Sequence, residues 1–261
     1  MSIELSTLSS RVFQRNWLVY RRLWLRSIAF GFLQPTLFLT AMGIGIGSLM
    51  SAGSQQAFGG VGYIQFLGPG LLAAMAMQTA TFESTFPIMN KIMWGKNYEA
   101  MLATPLAVGD LVAGELAWIG FRILTLAAVF LAVLALAGLV ATPLALLALP
   151  VTVLVGLGFS ANLIAFAATQ RNDVGFSAVF RLVINPLFLF SGTFFPIDRL
   201  PAAVRVVAWA TPLFHGVELV RGLILGRLDP ATAPWHVAYL VAFFAVGALL
   251  AHRLLRRRMR V

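Results

Sequence analysis

Cysteine is absent from the 261 residues, histidine occurs three times, and acidic side chains number only 9 against 19 basic ones. The first absence excludes disulfides, cysteine-bound metals and a thiol nucleophile. The shortage of charge excludes more. Charged residues make up 11% of the chain, where a water-soluble domain carries roughly a quarter. With 60% of residues apolar and a mean hydropathy of +0.89, too little polar surface exists to coat a globule in water, and the predicted solvent is lipid. No G-x-x-x-x-G-K-[ST] loop is present. Gly95-Lys96 lacks the upstream glycine and the preceding strand, so that route to cradling a nucleotide phosphate is closed. His215, His236 and His252 are too scattered along the chain to imply a metal cluster. Only His215 with Glu218, at i and i+3, has ligand-like spacing, and the alternative there is a polar helix face on which Glu218 pairs with Arg221.

What is present is a series of apolar runs long enough to cross a bilayer. Residues 27–49 hold no charge and would extend about 34 Å as a helix. Further spans are predicted at 63–86, 111–139, 144–169, 176–195 and 235–252, giving an all-α polytopic membrane protein of six transmembrane helices in one domain, 1–261. Ahead of them, residues 5–22 place Leu8, Val12, Phe13, Trp17 and Tyr20 on one face and Arg11, Gln14, Arg15, Arg21 and Arg22 on the other, the pattern of an interfacial amphipathic helix. The arginines that interrupt residues 1–26 make a cleaved signal peptide an unexpected reading of this start. Between spans two and three, residues 87–110 are polar and contain a short helical stretch, 98–103, stopped by Pro105. From Pro196 to Leu225 the chain is amphipathic and is cut by Pro201 and Pro212 into two pieces too short to cross; these are predicted to re-enter the outer half of the bilayer.

Five basic residues between Arg11 and Arg26, and five more in the last nine positions, flank hydrophobic runs and read as leaflet anchors rather than as a nucleic-acid surface. With both termini inside, thirteen Lys and Arg fall in inner segments and four in outer ones, so both ends are predicted to be cytoplasmic. Glu83, Glu115 and Arg122 lie in or near spans two and three. A lone charge in hydrocarbon costs at least about 2.5 kcal/mol, so Arg122 is expected to pair with Glu83 or with Glu115. Gln34, Gln78, Asn162 and Asn185 would bond substrate hydroxyls or join helices, and the phenylalanines of spans one and five (Phe30, Phe32, Phe38; Phe176, Phe180, Phe188, Phe190) would line a pathway or face lipid and neighbouring helices.

Two blocks of residues carry a family resemblance. One runs from Gly68-Pro-Gly-Leu-Leu through Thr81-Phe-Glu83 to Tyr98-Glu99-Ala-Met101-Leu102-Ala-Thr104-Pro and Gly114-Glu115. The other is Ser191-Gly192-Thr-Phe194-Phe195-Pro196, followed by Pro212, His215, Glu218 and Arg221-Gly222. In order and spacing over nearly the whole chain they resemble the permease subunits of type-2 ABC exporters, in the branch that includes nodulation protein J and its multidrug and polysaccharide relatives. The resemblance implies a half-transporter with no cofactor of its own. ATP and Mg would be bound by a separate cytoplasmic ATPase present in two copies, and a second, identical permease would complete the pathway. It also implies that Asn97, Tyr98, Glu99, Met101, Leu102 and Thr104 form the coupling helix, 97–104, docked on that ATPase. Residues 5–22 would rest beside the ATPase as the interface helix, and 196–225 would close the outer end. The cargo class is an amphiphile: a lipo-oligosaccharide, a lipid-linked glycan or a hydrophobic drug. The competing classes are a membrane-embedded lipid-modifying enzyme, disfavoured by the lack of clustered His and Asp, and a membrane scaffold, which would not couple to ATP turnover.

Overall fold

The computed structural model describes residues 2–22, 33, 36–43, 45, 58 and 60–259. Among them every regular element is helical and no strand occurs. The predicted first span and the loop after it fall largely outside the described residues; the part that is described, residues 33, 36–43 and 45, is helical. Phe30, Phe32 and Gln34 lie outside them.

Besides that partly described segment, the helices among the described residues are, in chain order, α1 (Ser2–Tyr20), α2 (Tyr63–Ser84), α3 (Phe86–Met89), α4 (Asn97–Leu102), α5 (Val108–Leu136), α6 (Ala148–Thr169), α7 (Val174–Phe190), α8 (Ala202–Trp209), α9 (Pro212–Leu225) and α10 (Ala233–Arg258). Their ends follow from local chemistry. Asp110 sits in the first turn of α5 and its carboxylate accepts the Ala107 N–H at 3.0 Å, where the helix dipole favours an anion. At the other end of α5 the chain turns through Gly138 at φ +70°, with the Leu139 N–H donating to Leu134 O and the Gly138 N–H to Ala135 O. That is a Schellman stop, and it explains why the helix ends at Leu136 rather than continuing to the predicted 139. α10 runs six residues past its predicted end, because arginine is a good helix former and favours a helix C-terminus; Arg258 also donates to Ala168 O at 3.4 Å.

Three elements are long and apolar enough to cross a membrane among the described residues: α5 (29 residues), Pro143–Thr169 (27 residues, a 3-10 turn leading into α6) and α10 (26 residues). The pair α8 and α9 passes the same test jointly, but it is bent by 81° at the break. α7 differs from the predicted span 176–195. It is shorter, is interrupted by a π-turn at Phe180–Ile184, and ends before Gly192, whose φ of +79° turns the chain aside.

The core is built on α6. It packs most extensively against α10, then against α2 and α5, while α9 lies across α2 and α6. Close approach of α6 and α10 depends on small residues: Phe243 occupies the space beside Gly158, and Asn162 fills the space beside Gly247. The Asn162 side-chain amide donates to Phe243 O at 3.1 Å, so this polar residue joins helices. By contrast the outer faces of α7 and α10 leave Leu182, Leu189, Val237, Val241, Val246 and Leu249 exposed. A run of exposed branched side chains on two helices is the surface of a protein immersed in lipid or covered by a partner.

α1 packs along α5. Val12 is 1% exposed, Gly114 of α5 lies against Val12 and the Ser9 carbonyl, and Phe13 and Tyr20 meet Trp118 edge to face at 5.6 and 5.4 Å. Part of the apolar stripe predicted to rest on the leaflet is therefore spent on α5. Trp17, Leu18 and Val19 remain exposed.

Candidate functional site

Two polar assemblies sit at opposite ends of the bundle. Gly109, at the start of α5, lies beside His252, so the α4 end also holds the C-terminal arginines. The Ala141 N–H donates to Ile224 O at 2.9 Å, which puts the end of α9 at the other pole.

At the α4 end, Lys96 adopts the left-handed conformation (φ 45°) and starts α4. The helix ends at Leu102, slightly before the predicted limit, and Thr104 closes the turn by donating to Met101 O at 2.6 Å. The six predicted coupling residues divide by face. Glu99 and Thr104 are exposed, Asn97, Met101 and Leu102 are half-buried, and Tyr98 is fully buried. Glu99 meets Lys96 only at 3.9 Å, a solvent-exposed contact of little energetic weight. Trp94, 60% exposed, and Ala100 extend the outward face, and the sequence reading did not include them.

Beneath this face lies a buried cluster. Lys91 Nζ bonds both oxygens of Glu115 at 2.8 and 2.7 Å, and Asn16 of α1 donates its side-chain amide to Glu115 Oε2 at 3.1 Å. The carboxylate of Glu115 is nearly inaccessible to solvent. Burial raises the Tyr98 phenol well above its ordinary value, and the neighbouring Glu115 carboxylate adds to the effect. Asn16 of α1 and Lys91 of the π-turn Asn90–Trp94 thus bond the Glu115 carboxylate of α5, and the buried Tyr98 of α4 lies near enough to feel its charge.

Of the two partners expected for Arg122, Glu83 is the one it has. Arg122 pairs with Glu83 at 3.0 Å and lies 4.7 Å from the ring centroid of Tyr20, whereas Glu115 is taken by Lys91. Glu115 and Arg122 are two turns apart on α5, about 10 Å along the axis, so one partner does not serve both. Arg122→Met should lower the melting temperature of the purified protein. Adding Glu83→Gln should restore part of the loss, because the cost comes from stranding a carboxylate in a partly buried site. Equal melting temperatures for wild type and Arg122→Met would show that the pair is idle.

At the α9 end the residues of the second block converge. Arg221 Nη2 donates to Gly192 O at 2.7 Å, Nε to Phe66 O at 3.3 Å and Nη1 to Glu218 Oε1 at 3.2 Å, with the guanidinium 3.8 Å from the Phe66 ring centroid. One side chain therefore ties α9 to α2 and to the turn after α7. Gly70 of the Gly-Pro-Gly motif leaves room for the Thr193 carbonyl and for this arginine. Phe194 packs edge to face on Phe38 and Phe188 at 5.6 and 5.0 Å, and Phe195 meets Phe190 at 6.4 Å. Pro212 occupies the first turn of α9 behind its N-cap Thr211. Pro196, Glu218 and Arg221 border a cavity of about 830 Å³, together with Trp209, Asp229 and His236.

Glu218 pairs with Arg221, the alternative read from the sequence, and His215 finds a partner the sequence did not suggest. Its side-chain partner is His236, Nδ1 to Nδ1 at 2.6 Å, rather than Glu218, so two of the three histidines that looked scattered are in contact. They are 21 positions apart on different helices, a separation that no local periodicity reports.

Three helices long and apolar enough to cross a membrane, among the described residues, are the features of a multi-pass membrane protein. The chain belongs to the ABC-2 type transporter family, whose model matches residues 8–225. It is 33% identical over 249 residues to nodulation protein J of Rhizobium leguminosarum bv. viciae, covering 95% of this chain and 93% of that one. It is 32% identical to the nodulation protein J of R. leguminosarum bv. trifolii and to that of Rhizobium meliloti (strain 1021), each over 95% of this chain and 92% of the relative. Membership makes it a type-2 ABC transporter permease, a transport protein rather than an enzyme, and implies a partner ATPase.

Proposed function

We propose that the chain is the membrane half of an ATP-driven exporter that moves an amphiphile outward across the bacterial inner membrane. Two copies would form the pathway and dock on two copies of a cytoplasmic ATPase. The observation that carries this reading is α4: Glu99 on it and Trp94 just before it are exposed, while Tyr98 is sunk toward the Lys91–Glu115–Asn16 cluster. A lever needs both a free docking face and a rigid root. Through Lys91, the π-turn leading into α4 is bonded to Asn16 of α1 and Glu115 of α5, so displacement of α4 would be passed through that turn to the interface helix and to a spanning helix together. ATP binding in the partner would favour one arrangement of the permease pair by differential affinity, shifting its population between closed and open.

The topology proposed is six spans with both termini cytoplasmic, supported by the Lys and Arg asymmetry and by exposed apolar faces on α7 and α10. The segment 196–225 is proposed to re-enter from outside, in keeping with the 81° bend between α8 and α9. For the cargo, the Phe38–Phe188–Phe194 cluster supports an aromatic, uncharged seam suited to a lipo-oligosaccharide, lipid-linked glycan or hydrophobic drug. The test is transport into inverted vesicles containing permease and ATPase, offered a fluorescent lipid-linked glycan or a hydrophobic dye. ATP-dependent uptake of either supports amphiphile export; uptake of neither, with ATPase bound and active, refutes it.

A further inference from the structure

His215 and His236 occupy the first turns of α9 and α10, where the positive ends of both helix dipoles oppose an added cation. They are 1% and 8% exposed. The Tyr239 ring stacks on His215 with centroids 4.0 Å apart, its hydroxyl donating to Ala210 O at 2.6 Å, and Trp209 and Phe214 close the site with edge contacts. The space between the facing Nδ1 atoms holds one proton. With both rings neutral, one Nδ1–H donates to the other's lone pair. If the donor ring is protonated at its Nε2 it still donates through Nδ1–H, and its neutral partner, already the Nε2–H tautomer, still accepts. When both are charged, two N–H groups point at each other and the bond is gone.

The ionisable groups around the pair bear on where the rings go when that happens. Glu218 of α9 and Asp229 of the α9–α10 loop both act on His236 electrostatically, Tyr239 lies on α10, and Asp198, Arg199, Arg221 and Arg227 border the same cavity. α6 carries no ionisable residue, and α2 carries only Tyr63 and, at the opposite end, Glu83. His236 already forms part of the cavity wall, so separation carries its imidazolium toward water and toward Glu218 and Asp229.

We propose that the His215–His236 contact is a proton-operated latch that holds α9 against α10 and releases it in acid. It rests on the proposed topology only in that acid reaching this end of the bundle would be external. The measurement uses the purified permease alone, without ATP, ATPase or cargo, so failure of that reading leaves this test intact.

Hydrogen exchange is followed by mass spectrometry and corrected for the chemical dependence of exchange on pH. In peptides covering residues 212–240 of the wild type it should rise about tenfold or more between pH 8 and pH 5, while peptides of α5 and α6 hold constant. The His215→Gln, His236→Gln double variant should lose that rise. No rise in the wild type, a uniform rise along the whole chain, or the same local rise in a folded double variant would each overturn the latch. Should the double variant not fold, the contrast between residues 212–240 and α5–α6 in the wild type decides by itself.

Discussion

Lys91→Met lowers the melting temperature of the purified permease by roughly 10 °C, the largest loss expected of any single substitution outside the apolar core. The reason is asymmetric. Glu115 is buried and takes both short contacts from Lys91, and the remaining bond from Asn16 does not compensate a full negative charge. Removing one partner of a buried ion pair costs about 3–5 kcal/mol, because the survivor is left charged and dry. Replacing both, Lys91→Met with Glu115→Gln, should recover most of the loss, since the stranded charge is then gone. The same double variant should still uncouple ATP hydrolysis from transport, because the turn leading into α4 is no longer bonded to α1 and α5. Melting curves for the two single variants and the double one, combined with coupled hydrolysis assays, check both halves. A Lys91→Met protein as stable as wild type would contradict the buried network.

Glu99→Arg acts in the opposite sense, on function without the fold. Glu99 is exposed and its contact with Lys96 is long, so reversing its charge should move stability by no more than about 0.5 kcal/mol. If α4 docks in the ATPase by that face, an arginine there meets the pocket with the wrong sign, and cargo-stimulated hydrolysis falls to the unstimulated level. Gel filtration and melting confirm the fold, and ATP turnover in proteoliposomes reads the coupling. Normal coupling in a folded Glu99→Arg permease would remove Glu99 from the docking face.

The contrast between these variants shows what the sequence makes legible. Helices α5, α6 and α10 are announced by composition alone, and α4 by its polar flanks and Pro105, so these were read to within a few residues except at the C-terminal end of α10. An Arg122–Glu83 pair follows from two charges with nowhere else to go, although the sequence left Glu115 equally eligible. What stays hidden depends on how helices cross. Asn16 reaches Glu115 across 99 positions, and Lys91 points there because of a π-turn that no pattern marks. His215 and His236 meet only because α9 folds back on α10. The break in α7 is likewise invisible in an apolar run, since a π-turn changes hydrogen bonding without changing hydrophobicity.

The central claim is that this polypeptide provides the path and a separate protein provides the energy. Reconstituting the purified chain in liposomes, with and without its ATPase, tests it most directly. ATP hydrolysis at the level of empty liposomes for the chain alone, and cargo-stimulated hydrolysis once the ATPase is added, is the predicted result. ATP turnover or cargo movement by the chain alone would contradict it.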